Sequence, residues 1–384
     1  MTGRVWHLLT GEYPPQSGGI SDYTWLLASG LAAGEEKVHV WTTPVEGITP
    51  AAQGVTVHHS AGKWLPRDLA RLGAELNSFA APRRLLVQHT PNTWGYRGLN
   101  LRFCEWLVKR KKAGDDIWLM VHEPYYPWLW RDKPTRWLLA AGQRWMMRRL
   151  LAASSRIYIS IPGWEKYLRA YETGGRRSIK WLPIFSTIPV IADDRKVAEL
   201  RQGLTRSGRI VIGSFGTFGG AVGEMLLKVM PALLLSHPER VGLLLGRGGE
   251  RFAARLLSRH PQLAERLLAP GELSPEQVSL NLQTCDVLVQ PYPDGVSSRR
   301  TSVMAGLAHG IPTVSNTGFL SEPIWAQTHC VALAATHKSS DFVAEVEILL
   351  KDSGARASLA ARASAVYTQN FALEHTLSRL RDAG

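Results

Sequence analysis

Five stretches of this chain combine residue types that could bind a phosphate or handle a proton. The densest is QPYPDGVSSRRTSVMAGLAHGIP, residues 290–312. There Ser297, Ser298, Thr301 and Ser302 flank Arg299 and Arg300, with Asp294 just upstream, at the start of a helical pattern. Hydroxyls, guanidinium forks and the amides of a helix N-terminus all favour an anion, and a diphosphate suits the combination. A loop with only a capping role would not need two arginines. GSFGTFGG (213–220) follows a strand-like run, and its Ser214, Gly216 and Thr217 offer backbone and hydroxyl donors to a phosphate. Its glycine spacing fails GxGxxG, and GRGG (246–249) lacks the third glycine; neither is GxxxxGK(S/T), which argues against a P-loop NTPase. In GEYPPQSGGISDY (11–23) two prolines stiffen a turn and Gly18-Gly19 lead into a helix. Glycine there permits close approach of a ligand to helix N-terminal amides; the plainer reading is a Pro-Gly turn capped by Ser21 or Asp22. Finally, His89 in VQHTP and His122-Glu123 in VHEPYYP sit at strand carboxyl ends. Such a histidine is either a general base, a holder of a substrate hydroxyl, or a structural side chain. No HxxxH, CxxC or paired-aspartate pattern accompanies them, so no bound metal is expected.

The elements that must position these loops alternate. VWHLLT (5–10), VHVWTT (38–43), LLVQHT (85–90), IWLMVHE (117–123) and IYISIP (157–162) read as strands, with helical patterns such as LNLRFCEWLVKRKKAG between them. After a polar stretch at 192–209 the alternation restarts with RIVIGSFGTF (209–218), VGLLLGRGG (241–249), CDVLVQPY (285–292) and IPTVSN (311–316) as strands. Residues 340–383 read as helices only. Strand–helix repetition at this spacing predicts an α/β protein of two doubly wound parallel-sheet domains, with the boundary near 185–200. In such sheets ligands bind beyond the carboxyl ends of the strands, where all five candidate stretches lie.

The 384 residues suffice for two cores, and 45% hydrophobic residues exclude a disordered chain. The three cysteines, Cys104, Cys285 and Cys330, fit neither a disulfide framework nor a zinc site, so a reducing, cytoplasmic setting is expected. No run is apolar for long enough to span a membrane, and the N-terminal apolar run is too short for a signal peptide. The net charge of +13 is unevenly placed: residues 1–190 hold 25 basic and 14 acidic side chains, a net of +11. That half also holds 13 of the 14 tryptophans, all but Trp325. A basic, Trp-rich half suits an anionic partner: a membrane surface, a phosphorylated lipid or a nucleic acid. The segment 125–152, rich in Trp, Leu, Met and Arg, could lie in a membrane interface or be an ordinary packed helix with a basic solvated face.

Together, PPQSGGISDY, GSFGTF, LLLGRGG and GELSPEQVSLNLQTCDVLVQPYPDGVSSRRTSVMAGLAHGIPTVS resemble the GT-B glycosyltransferases of family 4, over the whole chain. The resemblance implies two Rossmann-like domains facing a cleft: 1–190 binding the acceptor, 191–360 binding a nucleotide sugar, and helices over 361–384 crossing back. It implies a donor site of Gly18 and Gly19 together with Ser214, Phe215, Gly216, Thr217, Arg247, Gly271, Leu273, Asp294, Ser297, Ser298, Arg299, Arg300, Thr301 and Ser302. The nucleotide base would lie near Arg247 and Gly271–Leu273. It further implies sugar transfer with retention, without a metal or other cofactor. The leaving phosphate would take the acceptor proton, His122 or His89 would orient sugar hydroxyls, and Glu123 would contact the acceptor or His122. The acceptor would be a cell-envelope glycan, a glycolipid or a small molecule, and the enzyme would work in the cytoplasm, peripheral to the inner membrane face.

Two features depart from the family. It commonly carries two glutamates eight residues apart in the donor loop, the second holding the ribose. Here Asp294 could stand for the first, but Ser302 lies eight residues on, and alignment on the HGIP turn puts Ala305 at the second. The family's basic pair after the first strand of the C-terminal domain is also absent from GSFGTFGG, and Arg299 and Arg300 are expected to supply that charge. Rival readings are a nucleotide-sugar epimerase, a catalytically degenerate homologue, or a nucleic-acid-binding protein; no nucleic-acid-binding motif accompanies the charge.

Overall fold

The computed structural model describes residues 5–50, 52–128, 132–173, 175, 177–204, 209–335 and 338–382. Contacts divide the chain into two compact units: one runs up to Pro183 and resumes at Thr376, the other is Ile184–His375.

In the first unit the strands are β1 (Val5–Leu9), β2 (Lys37–Trp41), β3 (Val55–His58), β4 (Arg84–His89), β5 (Asp116–Val121), β6 (Arg156–Ile159) and β7 (Ile179–Trp181). Its helices are α1 (Gly19–Ala33), α2 (Pro66–Asn77), α3 (Leu101–Lys112), α4 (Pro134–Ala153) and α5 (Glu165–Arg169). The seven strands form one sheet in the order β3-β2-β1-β4-β5-β6-β7, and every pairing is parallel. Parallel strands are buried on both faces, which is why they read as continuous apolar runs such as IWLMV. One face packs Leu85, Val87, Ile117, Leu119 and Ile157 against α2, α3 and α4. Asn100 starts α3 by accepting the Phe103 amide at 3.0 Å, a cap that suits its short polar side chain.

The tryptophan excess divides between core and surface. Trp6, Trp41, Trp64, Trp94 and Trp118 are fully buried, whereas Trp128, Trp137 and Trp145 are about half exposed. Trp94 stacks on Phe103 at 4.1 Å and Trp64 meets Trp94 edge-on at 4.8 Å, two favourable ring geometries.

The second unit contains α6 (Asp194–Leu204), β8 (Ile210–Phe215), α7 (Gly220–Leu235), β9 (Arg240–Leu245), α8 (Gly249–Leu257), β10 (Leu267–Leu268) and α9 (Pro275–Leu282). It continues with β11 (Val287–Val289), α10 (Thr301–Ala308), β12 (Thr313–Asn316), α11 (Ile324–Thr328), β13 (Ala332–Ala334), α12 (Ser339–Lys351) and α13 (Ser353–Asn370). Its parallel sheet has the order β10-β9-β8-β11-β12-β13. The last helix, α14 (Leu373–Asp382), straddles the division, and its C-terminal part is tied to the first unit. Arg381 Nε donates to Glu36 Oε2 at 2.9 Å, and Arg379 donates to the Trp181 carbonyl at 2.8 Å.

The two doubly wound parallel sheets anticipated from the sequence are thus present. The short strands β3, β7, β10 and β13 were not anticipated. Among the described residues no helix is long and apolar enough to cross a membrane. Of the basic aromatic segment 125–152, residues 129–131 lie outside the described residues.

Candidate functional site

Each sheet reverses its winding once, and the loops at that switch are where an open α/β sheet offers a crevice. In the second unit the switch lies between β8 and β11.

Ser214 and Phe215 are the last residues of β8. Ser214 is buried inside the strand, while the Phe215 carbonyl accepts a hydrogen bond from Gln290 Nε2 at 3.0 Å. Gly216 and Thr217 then form a turn that nests against the turn after β9. A Cβ on Gly246 would lie 2.5 Å from the Gly216 carbonyl oxygen, so glycine is required there for the close approach. In front of Gly216 itself, by contrast, no atom lies within 4 Å of where a Cβ would stand. Thr217 and Arg247 are exposed beside it. Gly271, at φ +82, has the Glu250 carboxylate 3.3 Å from its Cβ position, and Leu273 packs partly against the core under β9 and β11.

The loop between β11 and α10 is held from several sides. Asn316 on β12 accepts the Tyr292 amide at 2.9 Å and donates to the Tyr292 carbonyl at 2.8 Å. Gly295, at φ +88, presses on Gly318, with only 2.2 Å between its Cβ position and the Gly318 nitrogen. Asp294 bridges both arginines: Arg299 donates to one oxygen and Arg300 to the other, the latter at 2.5 Å. Arg300 also lies over the Tyr292 ring at 4.6 Å, and the Tyr292 hydroxyl pairs with Ser302 Oγ at 2.7 Å. Ser298 is turned inward, its amide donating 2.9 Å to Glu322 Oε1 and its hydroxyl to the same oxygen. Trp325 Nε1 donates 2.7 Å to the other Glu322 oxygen. Burial of this carboxyl pushes its pKa up from the ordinary value. Ser297 Oγ is buried with no hydrogen-bond partner among the described residues. Thr301 opens α10, and the cap position, Arg300, makes no side-chain cap bond.

Asp294, Arg299 and Arg300, with Ser302 joined through Tyr292, therefore form one cluster at the start of α10, where Thr301 is the first helical residue, and Gln290 ties the beginning of this loop to the end of β8. Two arginines sharing one carboxylate leave one positive charge in excess at the start of α10. Both oxygens of Asp294 are occupied by that pairing. Ser214 and Ser298 are both buried, and Ser298 is engaged by Glu322. Sequence reasoning missed Glu322 and Gln290, which support the loop from beneath; the lone Trp325, three residues after Glu322, was the available signal.

In the first unit the switch lies between β1 and β4. The loop after β1 packs on the loop after β4: a Cβ on Gly11 would lie 2.4 Å from the Thr93 carbonyl oxygen. Gly18 precedes α1 with extended backbone, and its Cβ position is 2.5 Å from Glu12 Oε2. Gly19 has nothing within 4 Å of its Cβ position and a backbone any residue could adopt, so no packing constraint calls for glycine there.

His89 ends β4, and His122 follows β5. Trp94 Nε1 donates to His89 Nδ1 at 3.1 Å, which makes His89 Nε2 the protonated nitrogen, donating to the Pro124 carbonyl at 3.0 Å. Both ring nitrogens are used, so the expectation that His89 orients a sugar hydroxyl gives way to a role in holding the β4 and β5 loops together. His122 Nε2 donates to Gln88 Oε1 at 2.7 Å, leaving Nδ1 as the lone-pair acceptor. Burial lowers the His122 pKa to about 3 and that of His89 to about 4. A neutral His122 suits holding a hydroxyl rather than removing its proton at neutral pH. Its carbonyl accepts from Ser160 Oγ at 2.8 Å and Trp164 Nε1 at 3.0 Å, and its ring meets Tyr23 edge-on at 4.9 Å. Glu123, next along, is exposed.

No family model matches the sequence, and no curated protein matches it. Solved structures do match in fold. Sucrose-phosphate synthase from Thermosynechococcus elongatus superposes with a TM-score of 0.70 at 14% identity, covering 99% of this chain and 98% of its own. WaaG, a glycosyltransferase involved in lipopolysaccharide biosynthesis, gives 0.69 at 16% identity, with 98% and 99% covered. Anabaena HepE, solved in complex with UDP and glucose, gives 0.66 at 14% identity, with 99% of each chain covered. The fold is that of the GT-B glycosyltransferases, as the sequence motifs implied.

Proposed function

We propose that this protein is a glycosyltransferase that moves a sugar from a nucleotide-diphosphate donor to a hydroxyl acceptor, with retention and without a metal. The observation that carries the reading is the cluster before α10, where Arg299 and Arg300 share Asp294 and leave a net positive charge on the loop that Gln290 ties to the end of β8. That charge and the helix N-terminus would take the growing negative charge of the leaving diphosphate. In the first unit, His122 would accept a hydroxyl proton into a hydrogen bond through Nδ1, and Gly19 offers open space for close approach. The departing phosphate oxygen would accept the proton of the acceptor hydroxyl as the new glycosidic bond forms. The acceptor is a glycan, a glycolipid or a small molecule. We place the enzyme in the cytoplasm, on the inner membrane face; the three cysteines, all free and buried, support a reducing setting.

A thermal-shift screen of UDP-, GDP-, ADP- and TDP-sugars in EDTA tests donor binding. A ligand that binds only the folded state raises the midpoint, by about 5 °C at roughly a hundred times its Kd. A shift with one nucleotide is expected. No shift with any of them would overturn the reading and favour a degenerate or nucleic-acid-binding protein.

A further inference from the structure

Helix α4 is apolar on two sides. Met146, Met147, Leu150 and Leu151 enter the core of the first unit, as a packed helix requires. The opposite side carries Trp137, Leu138, Ala141 and Trp145 at helical spacing, all exposed; Leu138 is 72% accessible, and Trp137 and Trp145 about half. Large apolar side chains exposed together in one stripe, beside arginines, mark a surface made for contact with something other than water. The stripe continues sideways. Arg149 pairs with Glu105 on α3 at 2.5 Å, and Glu105 lines a groove of about 410 Å³ between α2 and α3 with Leu69, Leu101 and Trp106.

The charges around this surface select the partner. Arg148 lies 5.4 Å over the Trp145 ring, and Arg102 and Lys109 rim the groove. The acidic groups nearby are already paired, Glu105 with Arg149 and Asp132 with Arg136 at 3.6 Å. Residues 1–190 carry 11 of the 13 net positive charges of the chain. Tryptophan and leucine with arginine and lysine at their margin match the boundary of an anionic bilayer, where indoles sit at headgroup depth and cations meet the phosphates.

We propose that the outward face of α4, continued over the groove between α2 and α3, docks the first unit on an anionic lipid surface. The helix lies in the plane of the interface, with Trp137, Leu138 and Trp145 below the headgroups and Arg102, Lys109 and Arg148 among them. The proposal rests on the placement at a membrane face made above and names the surface responsible. It does not depend on the reaction the protein catalyses, so donor binding and vesicle binding fail separately.

Flotation of the full-length protein with phosphatidylcholine vesicles, with and without phosphatidylglycerol, tests it. Binding is expected only when phosphatidylglycerol is present, and it should weaken as salt screens the cations. Leu138→Glu with Trp145→Glu should abolish it. Arg102→Glu with Lys109→Glu should weaken it by roughly tenfold or more, since each cation near an anionic leaflet supplies a factor of about five. These side chains are largely exposed, so circular dichroism and Tm should stay as in the parent, and each variant is compared only on that condition. Failure to float with anionic vesicles, or undiminished binding by the folded variants, would overturn the proposal. So would a concentration-dependent dimer that Leu138→Glu dissolves in a protein that ignores vesicles, because the stripe would then be a contact between two copies.

Discussion

Asp294 determines how the two arginines of the second unit present themselves. Unpaired, two guanidiniums side by side would repel; with one carboxylate between them they form a fixed fork whose remaining N–H groups have set directions. Removing either arm should therefore cost donor binding both a charge and an alignment. Arg299→Ala and Arg300→Ala are each expected to weaken donor affinity by about ten- to a hundredfold, the value of a charge-assisted hydrogen bond. Isothermal titration with the donor found in the screen reads this directly, and unchanged affinity in both variants would remove the arginines from the site. The histidines separate just as sharply by their partners. His89 has spent both nitrogens on Trp94 and Pro124, whereas His122 keeps one after pairing with Gln88. Nothing in the sequence distinguishes a VQHTP histidine from a VHEPYYP histidine; the indole that fills the first came from Trp94.

At the level of elements, one buried ion cluster ties α2, α3, β4 and β5 together. Arg83 Nε donates to Asp115 Oδ1 at 2.6 Å, Arg110 donates to the other Asp115 oxygen, and Arg110 Nη1 reaches Asn77 at 2.8 Å. Both arginine side chains are 8% exposed and the aspartate 0%. Removing the carboxylate would strand two buried cations, so Asp115→Ala should destabilise the first unit by about 3–5 kcal/mol, read as a lower urea midpoint. A smaller loss, under about 1 kcal/mol, would mean that water enters and solvates the arginines. The turns illustrate the same dependence on neighbours. Gly246 must be glycine because the Gly216 carbonyl is 2.5 Å from where its Cβ would be, yet Gly19, equally suggestive in sequence, has open space before it.

Over the whole molecule, buried neutral histidines are concentrated in the first unit. Burial lowers the pKa of His7 and His122 to about 3 and of His89 to about 4, from an ordinary 6.5. The folded state refuses protons that the unfolded state accepts below pH 6.5, so stability is complete above that pH. It is lost as the pH falls toward 3–4, by up to roughly 1.4 kcal/mol per pH unit for each histidine. The first unit should therefore unfold in acid before the second. Since 13 of the 14 tryptophans lie in residues 1–190, intrinsic fluorescence reports that unit. The expected outcome is a fluorescence transition at higher pH than the main loss of far-UV ellipticity; coincident transitions would mean that the histidines do not set acid stability.

The amino-acid sequence determined the class of architecture by itself. Apolar runs alternating with helical patterns can bury both faces only as parallel sheets, and glycine, hydroxyl and arginine residues collected at strand ends mark where an anion could be held. The short strands β3, β7, β10 and β13 escaped because two to four residues carry too little periodicity to separate from loop. What the chain does with its charged and aromatic side chains was decided by tertiary structure alone. Whether Trp41 and Trp118 fill a core while Trp137 and Trp145 face outward depends on which helix or strand covers each ring. Likewise, the pairing of Asp294 with both arginines and of Glu322 with Ser298 and Trp325 depends on loops brought together from separate strands. Side-chain chemistry gives each residue its capacity; only its neighbours in space decide whether that capacity is spent inside the fold or left for a ligand.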